Sequence, residues 1–171
     1  MLSEKMEKVL NDQVNAELYS SYLYLSMSNY FATGELPGCT YWMKVQALEE
    51  LYHAMKINSY IQQRGGRAVA AAIDAPPDKW DSPVAVFENV LDHEKKVTGL
   101  IAGLVVTAEE EKDTVTKEFL QWFVDEQEEE EESAEEVLEL AKKDIKEADK
   151  KLSERTFKIP KDIEIKFREP K

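Results

Sequence analysis

Apolar residues recur at steps of three and four along most of this chain, the period of helices that bury one face. The first stripe is Met6, Leu10, Val14, Glu17, Ser21, Tyr24, Met27 or Ser28, and Phe31. It predicts a helix over about residues 4–32. Ser3 is its N-cap, and Glu4 lies in the first turn, where the helix dipole favours an acid. Thr33 to Gly38 reads as a short turn. A second helix is predicted from about Thr40 to Arg64, ended by Gly65 and Gly66. Counted from Glu50, its stripe is Trp42, Gln46, His53, Ile57, Tyr60 and Ile61. Ser82 and Pro83 open a third helix, with Phe87, Val90 or Leu91, Glu94, Val97, Ile101, Leu104 and Ala108 in phase. A fourth starts near Asp113 and Thr114 and carries Leu120, Phe123, Gln127, Glu130, Ala134, Val137 and Ala141.

These elements predict an all-α, antiparallel four-helix bundle. The short first turn makes its two helices antiparallel neighbours. The Gly65 to Asp81 connection contains Pro76 and Pro77 and no helical stripe. It is long enough to carry the chain along the bundle, so the third helix need not be antiparallel to the second. No Gly or Pro interrupts the chain between Gly103 and Pro160, and Leu138, Ala141, Ile145, Ala148 and Leu152 stay in phase. The fourth helix is therefore predicted to continue to about Ser153. Residues 1–154 form the bundle, and residues 155–171 a C-terminal tail with six basic residues against three acidic ones. Alternation of Ile163, Ile165 and Phe167 predicts that the tail is extended and exposed.

Each stripe carries polar residues near its middle: Glu17, Glu50 with His53, Glu94, and Gln127 with Glu130. Glu17 and Glu50 are 33 residues apart, as are Glu94 and Gln127, and the two halves are related by a shift of 77. Two helical hairpins about a pseudo-twofold axis would bring these groups together at mid-height. Singly, each has a plainer reading. A lone Glu is solvated, a core His is a satisfied structural residue, Tyr24 is packing, and Glu126 to Glu132 is an acidic solvent face. Together they bury at least four carboxylates, which cannot all ionise without a counter-ion. A pair of divalent cations supplies one. Carboxylates with an imidazole suit iron or manganese better than structural zinc. Glu50, central in the set, is placed to bridge two ions, and Glu94 mirrors Glu17.

Charge and composition support cations over other partners. The 171 residues suffice for one domain. They carry 35 acids against 22 Lys plus Arg, a net charge of −13, which argues against nucleic acid and anionic membranes. The single cysteine, Cys39, excludes an intrachain disulfide and cysteine-based zinc or iron–sulfur sites. The start has no apolar signal core, and the longest apolar run, Gly99 to Ala108, is too short to span a bilayer. A cytoplasmic location is expected.

Over about residues 3–140 the chain resembles the non-haem ferritins of bacteria and archaea. The likeness lies in Leu10-Asn11-Asp12-Gln13, Glu17-Leu18-Tyr19-Ser20, Tyr22-Leu23-Tyr24-Leu25, Glu49-Glu50 with His53-Ala54-Met55-Lys56, Arg64-Gly65-Gly66-Arg67, and Phe119-Leu120-Gln121-Trp122-Phe123 leading into Glu126-Gln127. The resemblance implies a ferritin-like bundle that oxidises Fe(II) with O2 or H2O2 and stores ferric mineral in a self-assembled 24-subunit cage. It implies that Glu17, Glu50 and His53 hold a first iron, that Glu50 bridges, and that Glu94 and Glu130 hold a second, with Gln127 beside it. It implies Tyr24 next to the centre as a hydrogen-bond or electron donor, and a third, inner iron position at Glu49, Glu126 and Glu129. Leu51 follows the bridging Glu where haem-binding relatives have Met, so no haem is expected. The chain departs from the family after the fourth helix, where Lys142 to Phe157 is charged in place of a short apolar fifth helix. That departure predicts salt-sensitive assembly. The rival readings are a di-iron or manganese oxidase or peroxide scavenger that stores nothing, and a helical scaffold that binds cations passively.

Overall fold

The computed structural model describes residues 1–154 and contains five helices among them. They are α1 (Glu4–Ala32), α2 (Pro37–Gln63), α3 (Pro83–Glu110), α4 (Thr114–Lys143) and α5 (Ile145–Leu152). The starts follow local chemistry. Ser3 Oγ accepts from the Met6 N–H at 3.1 Å, and Ser82 Oγ from the Ala85 N–H at 3.1 Å. Asp113 Oδ1 accepts from the Thr116 N–H at 3.1 Å. Each bond satisfies a first-turn N–H that has no partner within its helix.

The main packed pairs are α1 with α2 and α3 with α4. Side-chain pairings fix their directions. Ser21 bonds the Ala47 carbonyl and Ser28 the Thr40 carbonyl, so α1 and α2 are antiparallel. Lys5 meets Glu110 while Tyr24 meets Glu94, so α1 and α3 are also antiparallel. It follows that α2 and α3 run parallel, as the long connection requires. That connection runs along α1. Asn11 bonds the Arg67 carbonyl at 3.0 Å and the Val69 N–H at 2.7 Å, and further along Ser26 bonds the Pro77 carbonyl at 2.6 Å. Gly65, at φ +74°, ends α2 in a conformation that L side chains rarely adopt.

The core lies in two apolar clusters. One gathers Met27, Phe31, Met43, Phe87 and Val137; the other Met6, Leu10, Ile57, Ile61, Ile101 and Leu120. Between them along the helices lies a buried polar layer: Gln13, Glu17, Gln46, Glu50, His53, Glu94, Gln127 and Glu130. The stripes place this layer correctly, with one small error of phase: Ser20 rather than Ser21 is buried; of the alternatives Val90 and Leu91, Val90 is the buried one.

Two boundaries differ from the sequence reading. The second helix starts at Pro37 rather than Thr40. The fourth ends at Lys143 instead of continuing to Ser153. Asp144 breaks it: the residue is extended, at φ −159° and ψ 106°, and its carboxylate accepts from the Lys146 and Glu147 N–H groups at 2.9 and 3.3 Å. It ends one helix by capping the next. The resulting α5 buries Ala148 and Leu152 and packs against α2 and α4. These two boundaries are connected. The N-cap of α2, Leu36, offers no side-chain bond, and Asp149 Oδ1 instead accepts from the Cys39 N–H at 2.8 Å, across 110 residues. Gly38 allows that approach, since a Cβ there would lie 1.8 Å from the Asp149 carbonyl oxygen. The predicted basic tail, residues 155–171, lies outside the described residues. Among the described residues, no helix is long and apolar enough to cross a membrane.

Candidate metal centre

Glu17 on α1 and Glu50 and His53 on α2 meet in the polar layer, with one ligand atom from each within 4.8 Å of the others. All are buried; Glu17 and Glu50 are each 1% exposed. His53 Nδ1 is 3.6 Å from Glu50 Oε2. The helical step of three puts both on one side of α2. The rings of Trp122 and Phe123 wall His53, at 5.4 and 6.0 Å between centroids.

Glu94 on α3 and Gln127 and Glu130 on α4 face this group as the second half. The Tyr24 hydroxyl donates to Glu94 Oε1. Gln127 Nε2 donates to Glu94 Oε2 and to the Glu94 carbonyl, both at 3.3 Å. Gln46 Nε2 donates to Glu130 Oε2 at 2.8 Å, and Gln13 Nε2 to Glu17 Oε1 at 2.9 Å. These amides orient the carboxylates without neutralising them.

Burial and mutual repulsion hold protons on this layer. Glu17 is pushed up to about 8, first by burial and then by the charge of Glu50. Glu94 is pushed up to about 7 by burial and by Glu130. Glu50 rises for the same reasons, with Glu94 and Glu130 as its charged neighbours. Buried beside Glu94, Tyr24 holds its proton well above the ordinary phenol range. Two carboxylate oxygens, Glu17 Oε2 and Glu50 Oε2, are fully buried with no donor in reach other than the proton that Glu17 shares with Glu50, and both are orphaned when that proton leaves. A buried orphan oxygen costs about 1–3 kcal/mol, more for a charged group. Cations bound between these carboxylates would remove that cost and the repulsion together.

The donor set therefore suits divalent cations. A family profile described as "Ferritin-like domain" matches residues 7–143. The chain belongs to the ferritin family. It is 45% identical over 143 residues to a bacterial non-heme ferritin of Bacteroides fragilis, covering 84% of this chain and 90% of that one. It is 44% identical over 131 residues to a probable bacterial non-heme ferritin-like protein of Haemophilus influenzae, covering 77% and 79%. Among solved structures, an open pore ferritin of Archaeoglobus fulgidus superposes with a TM-score of 0.88 at 49% identity, covering 91% of this chain and all 100% of that one. An engineered closed form of the A. fulgidus ferritin gives 0.89 at 49% identity, covering 92% and 100%.

Within this ferritin fold, the residues expected to form a third position are looser. Glu49 and Glu126 are half-buried and Glu129 is exposed. Glu126 is raised by burial, with Glu130 and Glu129 adding to it. Among the described residues, only Glu17, Glu50 and His53 form a set of three acid or His ligands at metal-binding distance. Sequence reasoning missed the orienting amides. Gln13 lies one turn before Glu17, and Gln46 is on the Glu50 stripe, yet neither was marked as part of the site. It also missed His93, because its neighbour Glu94 absorbed the signal. His93 is buried and its Nε2 lies 2.8 Å from Ser20 Oγ. Burial, with Lys96 nearby, pushes it down to about 4.

Proposed function

We infer that this chain is an iron-storing ferroxidase. The observation that carries the reading is the buried cluster of Glu17, Glu50 and His53, with one ligand atom from each within 4.8 Å of the others. Fe(II) is the substrate. Glu17, Glu50 and His53 hold one ion, Glu94 and Glu130 the other, and Glu50 bridges them. Gln127 lies beside the second position. Each Fe(II) gives up one electron; O2 takes both, with two protons, to become hydrogen peroxide. Charge from the carboxylates favours the ferric product over the ferrous substrate. Cations displace the protons held on Glu17, Glu50 and Glu94 as they enter. Tyr24 keeps Glu94 oriented through its hydroxyl.

Ferric product then moves inward past Glu126, Glu129 and Glu49, which serve as a third position, and grows as mineral. Storage requires an assembly that surrounds the mineral, and a 24-subunit cage in the cytoplasm is part of the reading. Tyr22, Leu25, Tyr41 and Leu48 are exposed apolar side chains on α1 and α2, fit for contact with other subunits. Replacing Glu50 or His53 with Ala should abolish fast Fe(II) oxidation under air; wild-type rates in these variants would refute the assignment. Iron retained per particle tests storage: arrest at two or three irons per chain would leave a ferroxidase that stores nothing.

A further inference from the structure

A cavity of about 430 Å³ opens on the other side of the centre, between α1, α3 and the long connection. Asp12, Asn15, Tyr19, Asp74, His93 and Lys96 line it. The state of its histidine can be worked out from hydrogen bonds. Ser20 Oγ has one proton, and it lies 3.1 Å from the Ala16 carbonyl, which can only accept. The same Oγ lies 2.8 Å from His93 Nε2. Both contacts are hydrogen bonds only if Ser20 donates to Ala16 and His93 Nε2–H donates to Ser20. The network therefore assigns the proton to Nε2 and leaves a bare lone pair on Nδ1. His93 is 8% exposed, and among the described residues Nδ1 has no hydrogen-bond partner. A histidine whose second nitrogen is tied down in this way is arranged as metal-binding histidines are.

Asp12 and Asp74 add two carboxylates to the wall, Asp12 already paired with Lys8 at 2.6 Å, against Lys96, whose side chain is exposed. Imidazole nitrogen and carboxylate suit a borderline divalent ion such as Fe(II). We propose that His93 Nδ1 anchors a second, outer divalent-cation site in this cavity, with Asp74 and Asp12 as its oxygen partners. These acids do not converge with His93 at direct ligand distance. The ion therefore keeps much of its water, and the oxygens reach it through that water, for which the cavity has room. Such a site is weak and exchanges quickly. It lies one residue from Glu94, so it concentrates substrate on the outer side of the proposed centre.

The test uses the full chain and Co(II) alone, a redox-stable probe, so it does not depend on ferroxidase activity. Titration of wild type should count one site per chain more than His93→Gln. Anomalous diffraction from Co(II)-soaked crystals should place an ion about 2.1 Å from Nδ1. The ion at Glu17, Glu50 and His53 should be present in both proteins, which shows that the variant has folded. An unchanged count, an ion bound only at the central cluster, or an ion that persists in the cavity of His93→Gln would each overturn the proposal. Asp74→Asn provides a milder variant, expected to weaken the outer site several-fold without removing it. Loss of the central ion with the outer one kept would refute the ferroxidase reading and leave this one standing.

Discussion

Glu17 gives the sharpest test of the claim that this bundle is strained until cations arrive. In the metal-free fold its carboxyl is pushed from 4.5 up to about 8. The folded state thus holds a proton that the unfolded chain releases near 4.5. Its contribution is fully favourable below about pH 4.5 and is lost as pH rises toward 8. A shift of that size corresponds to about 5 kcal/mol at full ionisation. Glu17→Gln removes the ionisation and keeps the shape. Its carbonyl still accepts from Gln13, and its new N–H2 group can donate to Glu50 in place of the carboxyl proton. Some of the gain is lost because Glu50 and Glu94 remain, so we expect metal-free Glu17→Gln to be about 2–4 kcal/mol more stable than wild type at pH 8. At pH 5 the two should be nearly equal. Urea unfolding followed by circular dichroism, in chelator, at both pH values and one protein concentration, measures this. Saturating Co(II) should reverse the order at pH 8, because only wild type keeps all its anionic ligands. Equal stability at both pH values would refute the argument, since the buried carboxyl would then cost nothing.

Three further outcomes test the packing and the assembly. Gly38→Ala places a Cβ against the Asp149 backbone and should push α5 off α2, costing about 1–3 kcal/mol and exposing the chain after Lys143 to protease; an unchanged melting temperature would contradict the docking. Gly99→Ala meets nothing within 4 Å and should stabilise the isolated chain by about 1 kcal/mol in thermal melts. A loss instead would locate a neighbouring subunit against α3. The polar C-terminal helix leaves Lys146, Glu147, Lys150 and Lys151 exposed, so particle mass by light scattering should change between low and high salt. A constant mass would exclude charge as the assembly's main contact.

The four long helices and the polar layer were legible because they depend on periodicity, and period and phase are written into every turn. Ser3 and Ser82 were legible for a related reason: a cap acts on its own next turn. What was missed acts over distance or against a louder neighbour. Asp144 breaks a helix that contains no Gly or Pro, and an Asp in a charged run gives no warning that it will cap a new helix. The start of α2 was misplaced because its acceptor is Asp149, on the last described helix. Gly38 looked like turn punctuation, whereas its role is to admit that helix. Gln13 and Gln46 read as ordinary polar residues until the carboxylates they orient were seen beside them. The same holds for His93, whose tautomer follows from a serine on a different helix. In this chain the ligand types are local information, and the hydrogen bonds that set their charge and direction are tertiary. A sequence can therefore name the acids of such a centre well before it can say which of them carry protons. That second question decides how readily the proposed centre accepts a cation, because every proton held on Glu17 or Glu94 would have to leave before a cation could take its place.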